Sequence, residues 1–146
     1  MRVKICGITR TEDGLVAAEL GVDFVGLVFA AGSPRKISHE QARDIAGAVH
    51  NAGPAVRVVG VFVNTPADGV LETIERCGLD LAQLHGQEPA EWLQPGGLLH
   101  GRGYKAVYPC SVEEARALAA RYPCAPRDGL PDLLTDTYDP RIGGGT

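Results

Sequence analysis

Short apolar runs along the chain alternate with longer stretches in which apolar residues recur at helical spacing. Six runs rich in β-branched residues predict strands, at residues 3–8, 23–29, 57–64, 79–85, 104–108 and 132–137. Five intervening stretches predict helices, at residues 12–20, 38–49, 65–77, 88–93 and 112–121. A repeated β-α order with strands apolar on both faces is typical of a parallel sheet covered by helices.

Capping residues mark the ends of several predicted helices. Ser38, with Gln41 three residues later, predicts a capping box, and Ser111 predicts a second N-cap. Hydroxyl caps and acids in residues 9–13 predict the start of the first helix, and Gly78 predicts the end of the third.

Two of the predicted strands resemble each other, because Gly26 and Gly60 lie at similar places in F-V-G-L-V-F and V-V-G-V-F-V. Such a repeat favours equivalent βα units arranged as a barrel. The loop at residues 123–131 is too short to separate domains, so residues 1–146 are predicted to form one domain.

Composition excludes several classes of protein. The 146 residues carry a formal net charge of −4, which argues against nucleic acid as a partner. No apolar run is as long as a membrane span, and the chain opens directly into a strand pattern without a signal segment. The four cysteines have no C-x-x-C spacing, so we expect a cytoplasmic protein with reduced thiols, no metal and no cofactor.

Chemistry is most plausible where predicted strands end. Cys6 lies between a strand and a helix and is followed by Gly7, so it is either an inert core cysteine or a reactive thiol at the carboxyl end of a strand. Asp136 ends the sixth strand, either as a turn former or as a carboxyl facing the same mouth as Cys6. A thiolate and a carboxylic acid on opposite sides of a small sugar would make a general base and a general acid.

Three further polar residues lie near predicted strand ends. Arg35, in the loop after the second strand, is either a solvated loop residue or a clamp for a carboxylate. Gln83 and His85 end the fourth strand, where each would either donate a hydrogen bond to a ligand or form a polar cap on the rim.

Six motifs together resemble the phosphoribosylanthranilate isomerases of tryptophan biosynthesis. They are K-I-C-G-I-T, F-V-G-L-V-F followed by S-P-R, V-G-V-F-V-N, Q-L-H-G-Q-E, L-L-T-D-T and G-G-G-T. The resemblance runs in register along the whole chain and implies a (β/α)8 TIM barrel.

The resemblance also implies a reaction and a substrate. The reaction is the Amadori rearrangement of N-(5-phosphoribosyl)anthranilate to 1-(2-carboxyphenylamino)-1-deoxyribulose 5-phosphate. Cys6 matches the general base, Asp136 the general acid and Arg35 the arginine near the anthranilate moiety. The reaction moves no hydride, and the resemblance implies neither a metal nor a cofactor.

The strand count departs from the resemblance, because this sequence predicts only about six of eight βα units. Strands seven and eight, whose loops usually carry the phosphate site, have no counterpart. The first and last strands would be apolar sheet edges, which favour self-association. The alternative is therefore a truncated, non-catalytic barrel fragment that acts as a binding or assembly module.

Overall fold

The computed structural model describes residues 1–122 and 131–136. Six parallel strands, β1 to β6, form one sheet in chain order: Lys4–Cys6, Phe24–Val28, Arg57–Phe62, Leu81–Leu84, Gly103–Val107 and Leu133–Thr135. Helices α1 to α4 alternate with them: Thr11–Glu19, His39–Ala52, Ala67–Cys77 and Val112–Arg121. The predicted parallel α/β architecture, with about six βα units, is confirmed.

The sheet curls around its inner face. Lys4 of β1 hydrogen-bonds to Gln83 of β4 and Tyr104 of β5. In a flat sheet with strands about 4.8 Å apart, β1 and β4 would lie about 14 Å apart, too far for one lysine to bridge. The strands must therefore bend round toward each other, as in a barrel wall.

Side chains alternate between the two faces of this curled sheet, which gives two separate cores. The inner core is small and consists of Phe24, Val59, Leu81 and Tyr104, with Leu134 packed against it. The outer core is larger and lies between the sheet and the helices; Val25, Leu27, Val58 and Phe62 belong to it. No helix in residues 1–122 is long and apolar enough to cross a membrane.

Most of the predicted capping signals are confirmed. Ser38 and Gln41 form a reciprocal capping box at α2, and the Ser111 side chain accepts a hydrogen bond from the Glu114 amide at α4. Gly78 ends α3 with a φ of +66°, a left-handed conformation that glycine adopts without strain. The predicted hydroxyl cap of α1 is wrong, because Arg10 is the N-cap residue and makes no side-chain capping bond.

The predicted fourth helix, at residues 88–93, is also wrong. Only a single 3₁₀ turn forms there, at Ala90–Trp92, closed by a bond from the Leu93 amide to the Ala90 carbonyl. Glu88, which was expected to begin a helix, is buried and turns its carboxylate back onto the preceding loop. Cys124, Thr137 and the G-G-G-T motif at 143–146 lie outside the described residues.

The first edge strand differs from prediction in its polarity. β1 was expected to be apolar on both faces, but Lys4 and Cys6 share one face and carry polar groups. Only Ile5, which is 37% exposed, gives the other face an apolar side chain. The alternation of a three-residue strand accounts for the difference, because residues two apart lie on the same side.

Candidate active site

Four of the five predicted site residues lie on the inner face of the sheet, toward the carboxyl ends of its strands. Cys6 ends β1, Gln83 lies in β4 with His85 just beyond it, and Asp136 directly follows β6. Strand alternation turns these side chains toward the same interior, because Asp136 lies two residues after the inner-facing Leu134. The carboxyl ends of parallel strands are where α/β barrels place their reacting groups.

Cys6 and Lys4 lie side by side above Gly26, the register partner of Cys6 on β2. A Cβ atom on Gly26 would be 2.6 Å from the Cys6 sulfur and 3.0 Å from Lys4 Cε. The missing side chain at Gly26 therefore makes room for both groups. The Cys6 side chain is exposed, so a ligand at the mouth would reach it.

A chain of hydrogen bonds crosses the inner face from β1 to β4. Lys4 Nζ donates to Gln83 Oε1 and to the hydroxyl of Tyr104, at 3.4 Å for the latter. The Tyr104 hydroxyl in turn donates to Gln83 Oε1 at 3.0 Å. Gln83 Nε2 lies 3.0 Å from His85 Nδ1. Gln83 is therefore committed to protein partners inside the barrel wall and does not sit on the rim.

His85 links this chain to Asp136. Its Nε2 lies 3.4 Å from Asp136 Oδ2, and its ring stacks on Tyr108 with 5.4 Å between the ring centroids. The side chains of His85 and Asp136 are 18% and 26% exposed. The carboxyl group is thus held from within the barrel and remains accessible from the mouth.

Arg35 reaches over the end of β1 from the loop between β2 and α2. Its Nη1 donates to the Cys6 carbonyl at 3.2 Å, and its side chain lies across Gly7. A Cβ on Gly7 would lie 2.5 Å from Arg35 Cδ, and the φ of +85° at Gly7 is one that other residues rarely adopt. Gly7 therefore allows Arg35 to approach Cys6, and most of the guanidinium faces solvent.

Burial perturbs several titratable groups at this site. Burial lowers the pKa of Lys4, and the neighbouring Cys6 opposes this effect. Burial also lowers the pKa of His85, although Asp136 acts in the opposite direction. The pKa of Tyr108 is raised to about 12 by burial and by Asp136, and burial also raises the pKa of Tyr104. Such a concentration of shifted groups is typical of functional sites.

Three residues of this site were not identified from the sequence: Lys4, Tyr104 and Tyr108. Spacing offered a signal for Lys4, because it lies two residues before Cys6 in a strand and therefore shares its face. Tyr108 lies four residues after the inner-facing Tyr104, so the same alternation places it on the inner face. Their partners lie on distant strands, which spacing alone does not reveal.

A second polar cluster lies on the outer face of β5. Lys105 and Glu88, which are 3% and 2% exposed, form an ion pair of 2.8 Å. Glu88 also accepts hydrogen bonds from the amides of Asn64 and Gly86, and Lys105 donates to the carbonyls of Leu84 and Gly86. This cluster fixes the loop after β4 and has no open side.

A cleft of about 470 Å³ lies apart from the inner face, between α2 and α3. The stacked rings of Phe29 and Phe62 line it, with Lys36 and Arg76 also among its walls. None of the five predicted site residues lines it. In residues 1–122 and 131–136, no group of three or more His, Cys, Asp and Glu side chains is placed to hold a metal ion.

Comparison with known proteins decides the family. The sequence model described as "N-(5'phosphoribosyl)anthranilate (PRA) isomerase" matches residues 3–122. The chain belongs to the N-(5'-phosphoribosyl)anthranilate isomerase family. The isomerase of Citrifermentans bemidjiense is 43% identical over 145 residues, which are 99% of this chain and 64% of that protein. The chain therefore spans just under two thirds of the length of this curated relative.

Solved structures of phosphoribosylanthranilate isomerases match this fold. The Thermus thermophilus enzyme has a TM-score of 0.78 and 42% identity, covering 96% of this chain and 64% of that one. Another isomerase structure, 38% identical with a TM-score of 0.73, contains reduced 1-(o-carboxyphenylamino)-1-deoxyribulose 5-phosphate; the match covers 95% of this chain and 66% of that one. The predicted (β/α)8-barrel family is thereby confirmed.

Proposed function

We propose that this chain carries the base and the acid of a phosphoribosylanthranilate isomerase. The substrate is N-(5-phosphoribosyl)anthranilate, and the product is 1-(2-carboxyphenylamino)-1-deoxyribulose 5-phosphate. The observation that carries the proposal is the convergence of Cys6 and Asp136 on one inner face at the carboxyl ends of β1 and β6. The reduced product bound to a 38% identical relative supports the same substrate class.

The first step opens the ribofuranose ring. The carboxyl proton of Asp136 passes to the ring oxygen, the C1–O bond breaks, and the nitrogen lone pair forms a protonated C1=N Schiff base. Asp136 becomes a carboxylate as the proton leaves. His85 Nε2 lies 3.4 Å from Asp136 Oδ2 without a hydrogen bond in this structure, and a small approach would let it donate one as this negative charge develops.

The second step forms the enolamine. The thiolate of Cys6 takes the proton from C2, the C2–H electrons form a C1=C2 bond, and the C=N electrons return to nitrogen. The enolamine then tautomerises to the ketone product. Cys6 ends as a thiol and Asp136 as a carboxylate, so the two must exchange a proton through solvent before the next turnover. Lys4 lies beside Cys6 on the same face, so its ammonium group is close to the proposed base.

Arg35 is proposed to bind the anthranilate carboxylate. Its guanidinium is exposed at the mouth, and the planar fork suits two parallel hydrogen bonds to a carboxylate. Gln83 and His85 are proposed to act in substrate binding mainly by holding Asp136, with His85 facing the ligand more directly. We place the protein in the cytoplasm, consistent with the free thiols of Cys6, Cys77 and Cys110.

Kinetics of Cys6→Ala and Asp136→Ala test this function. The assay uses the chain as it stands and a version extended by two βα units from the Thermus thermophilus relative. We expect kcat to fall about 10²- to 10⁴-fold with little change in KM, because each residue acts in the transition state. Near-normal turnover in either variant would contradict the assigned roles.

Matched controls are Cys77→Ala, which removes a thiol from α3, and Asp44→Ala, which removes an exposed carboxylate from α2. Both should retain kcat. Absence of turnover in every parent form, with product-analogue binding intact in both site variants, would instead favour the non-catalytic binding module.

We further propose that the chain self-associates with a second copy through β1 and β6. These are the two end strands of the six-stranded sheet, and end strands present backbone groups that can pair with another chain. Ile5 adds an apolar side chain to the β1 edge, because it is 37% exposed.

Sedimentation of Ile5→Lys tests this association, because a charged side chain on an edge strand disfavours pairing. We expect the parent chain to sediment as a concentration-dependent oligomer and Ile5→Lys to shift toward the monomer. Leu98→Lys, at a loop position that is 58% exposed, is the control and should sediment like the parent. A monomeric parent at all concentrations would contradict the proposal.

A further inference from the structure

The direction of the hydrogen-bond chain across the inner face is fixed by its first member. Lysine has donors and no acceptor, so the Gln83 atom that meets Lys4 must be the carbonyl oxygen. The Tyr104 hydroxyl donates to the same oxygen at 3.0 Å. The amide nitrogen of Gln83 is therefore left to face His85, 3.0 Å from Nδ1.

This direction determines which nitrogen of His85 carries the proton. The Gln83 amide nitrogen only donates, so His85 Nδ1 must accept and must be unprotonated. The single proton of a neutral imidazole then lies on Nε2, 3.4 Å from Asp136 Oδ2. In an imidazolium the Nδ1 proton would point at the amide protons of Gln83, and the two donors would repel each other. The hydrogen-bond chain therefore also disfavours protonation of the His85 ring.

The charged groups around His85 agree with a neutral ring. Asp136 favours protonation of the imidazole, as does Glu88, whereas Lys4, Lys105 and burial oppose it. Burial is the largest of these effects and lowers the pKa of His85. The neutral state of His85 is thus supported by burial of the ring as well as by the direction of the hydrogen bonds from Lys4 through Gln83.

We propose that Lys4 is a positioning residue for the acid. By orienting Gln83, it holds His85 in the Nε2–H form, so that the Nε2 proton faces Asp136 across 3.4 Å and the second carboxyl oxygen is left for the substrate. The inference rests on the acid role proposed for Asp136, but it concerns the resting protein. Lys4, at one end of the hydrogen-bond chain, thereby determines which nitrogen of His85 carries the proton at the other end.

Nitrogen NMR of the ¹⁵N-histidine-labelled chain tests the proposal. Long-range ¹H–¹⁵N correlations distinguish a protonated from an unprotonated ring nitrogen, and the signals lost in His85→Gln assign His85. We expect Nε2 protonated in the parent. Gln83→Glu keeps the shape but puts an acceptor oxygen opposite Nδ1, so we expect Nδ1 to become protonated.

Two lysine variants isolate the part played by Lys4. Lys4→Met should free the Gln83 amide to turn and produce a mixture of the two tautomers, and Lys4→Arg, which also only donates, should restore the Nε2–H form. His50 pairs with Asp80 at 2.9 Å and lies outside the hydrogen-bond chain of Lys4, Gln83 and His85. It is the internal control and should keep its signals in every variant.

A proton on Nδ1 in the parent, an unchanged tautomer in Gln83→Glu, or a pure Nε2–H form in Lys4→Met would overturn the proposal. If Lys4→Met does not fold, the parent and Gln83→Glu can still overturn it. The experiment needs no turnover, so an inactive chain with the expected tautomers would contradict the proposed function while leaving this inference standing.

Discussion

Two lysines occupy opposite faces of the same sheet and are held in opposite ways. Lys105, on the outer face, meets the carboxylate of Glu88 at 2.8 Å and two backbone carbonyls, and the cluster is closed to solvent. Lys4, on the inner face, meets Gln83, Tyr104 and the neighbouring Cys6, and no carboxylate pairs with it among residues 1–122 and 131–136. The charge of Lys105 is balanced by Glu88, whereas the charge of Lys4 is left partly unbalanced.

This difference separates a structural role from a functional one. A buried charge without a countercharge reduces stability, and such groups persist where chemistry needs them. Burial accordingly lowers the pKa of Lys4. The Lys105 cluster fixes a loop, whereas Lys4 places its positive charge beside Cys6 on the inner face.

The largest expected difference between the two lysines lies in stability. Lys105→Met leaves Glu88 buried without its countercharge, so the free energy of unfolding should fall by about 3–5 kcal/mol. Lys4→Met removes a charge that has no carboxylate partner among the described residues, so the change should stay within about 1 kcal/mol. Urea unfolding followed by the fluorescence of Trp92, the single tryptophan, measures both.

Lys36→Met, which removes an exposed lysine, serves as the control for loss of charge. The comparison would break if Lys4→Met cost as much stability as Lys105→Met. The double change Lys105→Met with Glu88→Leu sharpens it, because removing both charges should recover part of the loss.

A smaller effect is expected where the inner face meets the ligand. Arg35→Ala should weaken binding of an anthranilate-bearing product analogue by about 1.5–3 kcal/mol, the range of hydrogen bonds to a charged group. Arg35→Lys should restore only part of the affinity, because an ammonium group cannot form the planar two-bond contact. Isothermal titration calorimetry measures the three affinities.

Arg43→Ala, which removes an exposed arginine of α2, is the matched control. Equal affinities for the parent chain, Arg35→Ala and Arg35→Lys would show that Arg35 is only a loop residue. The mouth of the barrel would then lack the anion-binding group proposed for it at Arg35.

Much of the fold follows from local patterns in the sequence. Runs such as F-V-G-L-V-F predict buried parallel strands, and Ser38 with Gln41 predicts a helix start that forms as expected. The predicted helix at residues 88–93 does not form because Glu88 pairs with Lys105, 17 residues away, which no local pattern reveals. Tertiary contacts, not local sequence preference, determined the structure of that segment.

The candidate site was predictable to a similar extent. Cys6, His85 and Asp136 lie at strand ends, and strand ends of a parallel sheet meet at one edge, so their convergence followed from the predicted topology. The link from Lys4 to Gln83 did not follow from the predicted topology, because it depends on how strongly the sheet curls. The sequence left Gln83 open as a ligand donor or a cap on the rim, and the structure places its side chain inside the barrel wall.

The order of the strands has a consequence for how the molecule assembles during synthesis. Each strand from β2 to β6 pairs with the strand made just before it, so its partner has already been synthesised. Such sequential pairing keeps contacting segments close along the chain, which favours rapid folding. Lys4, Cys6 and Gln83 can come together while β6 is still being made. The carboxyl group of Asp136 would then be the last to join a surface whose hydrogen bonds are already set.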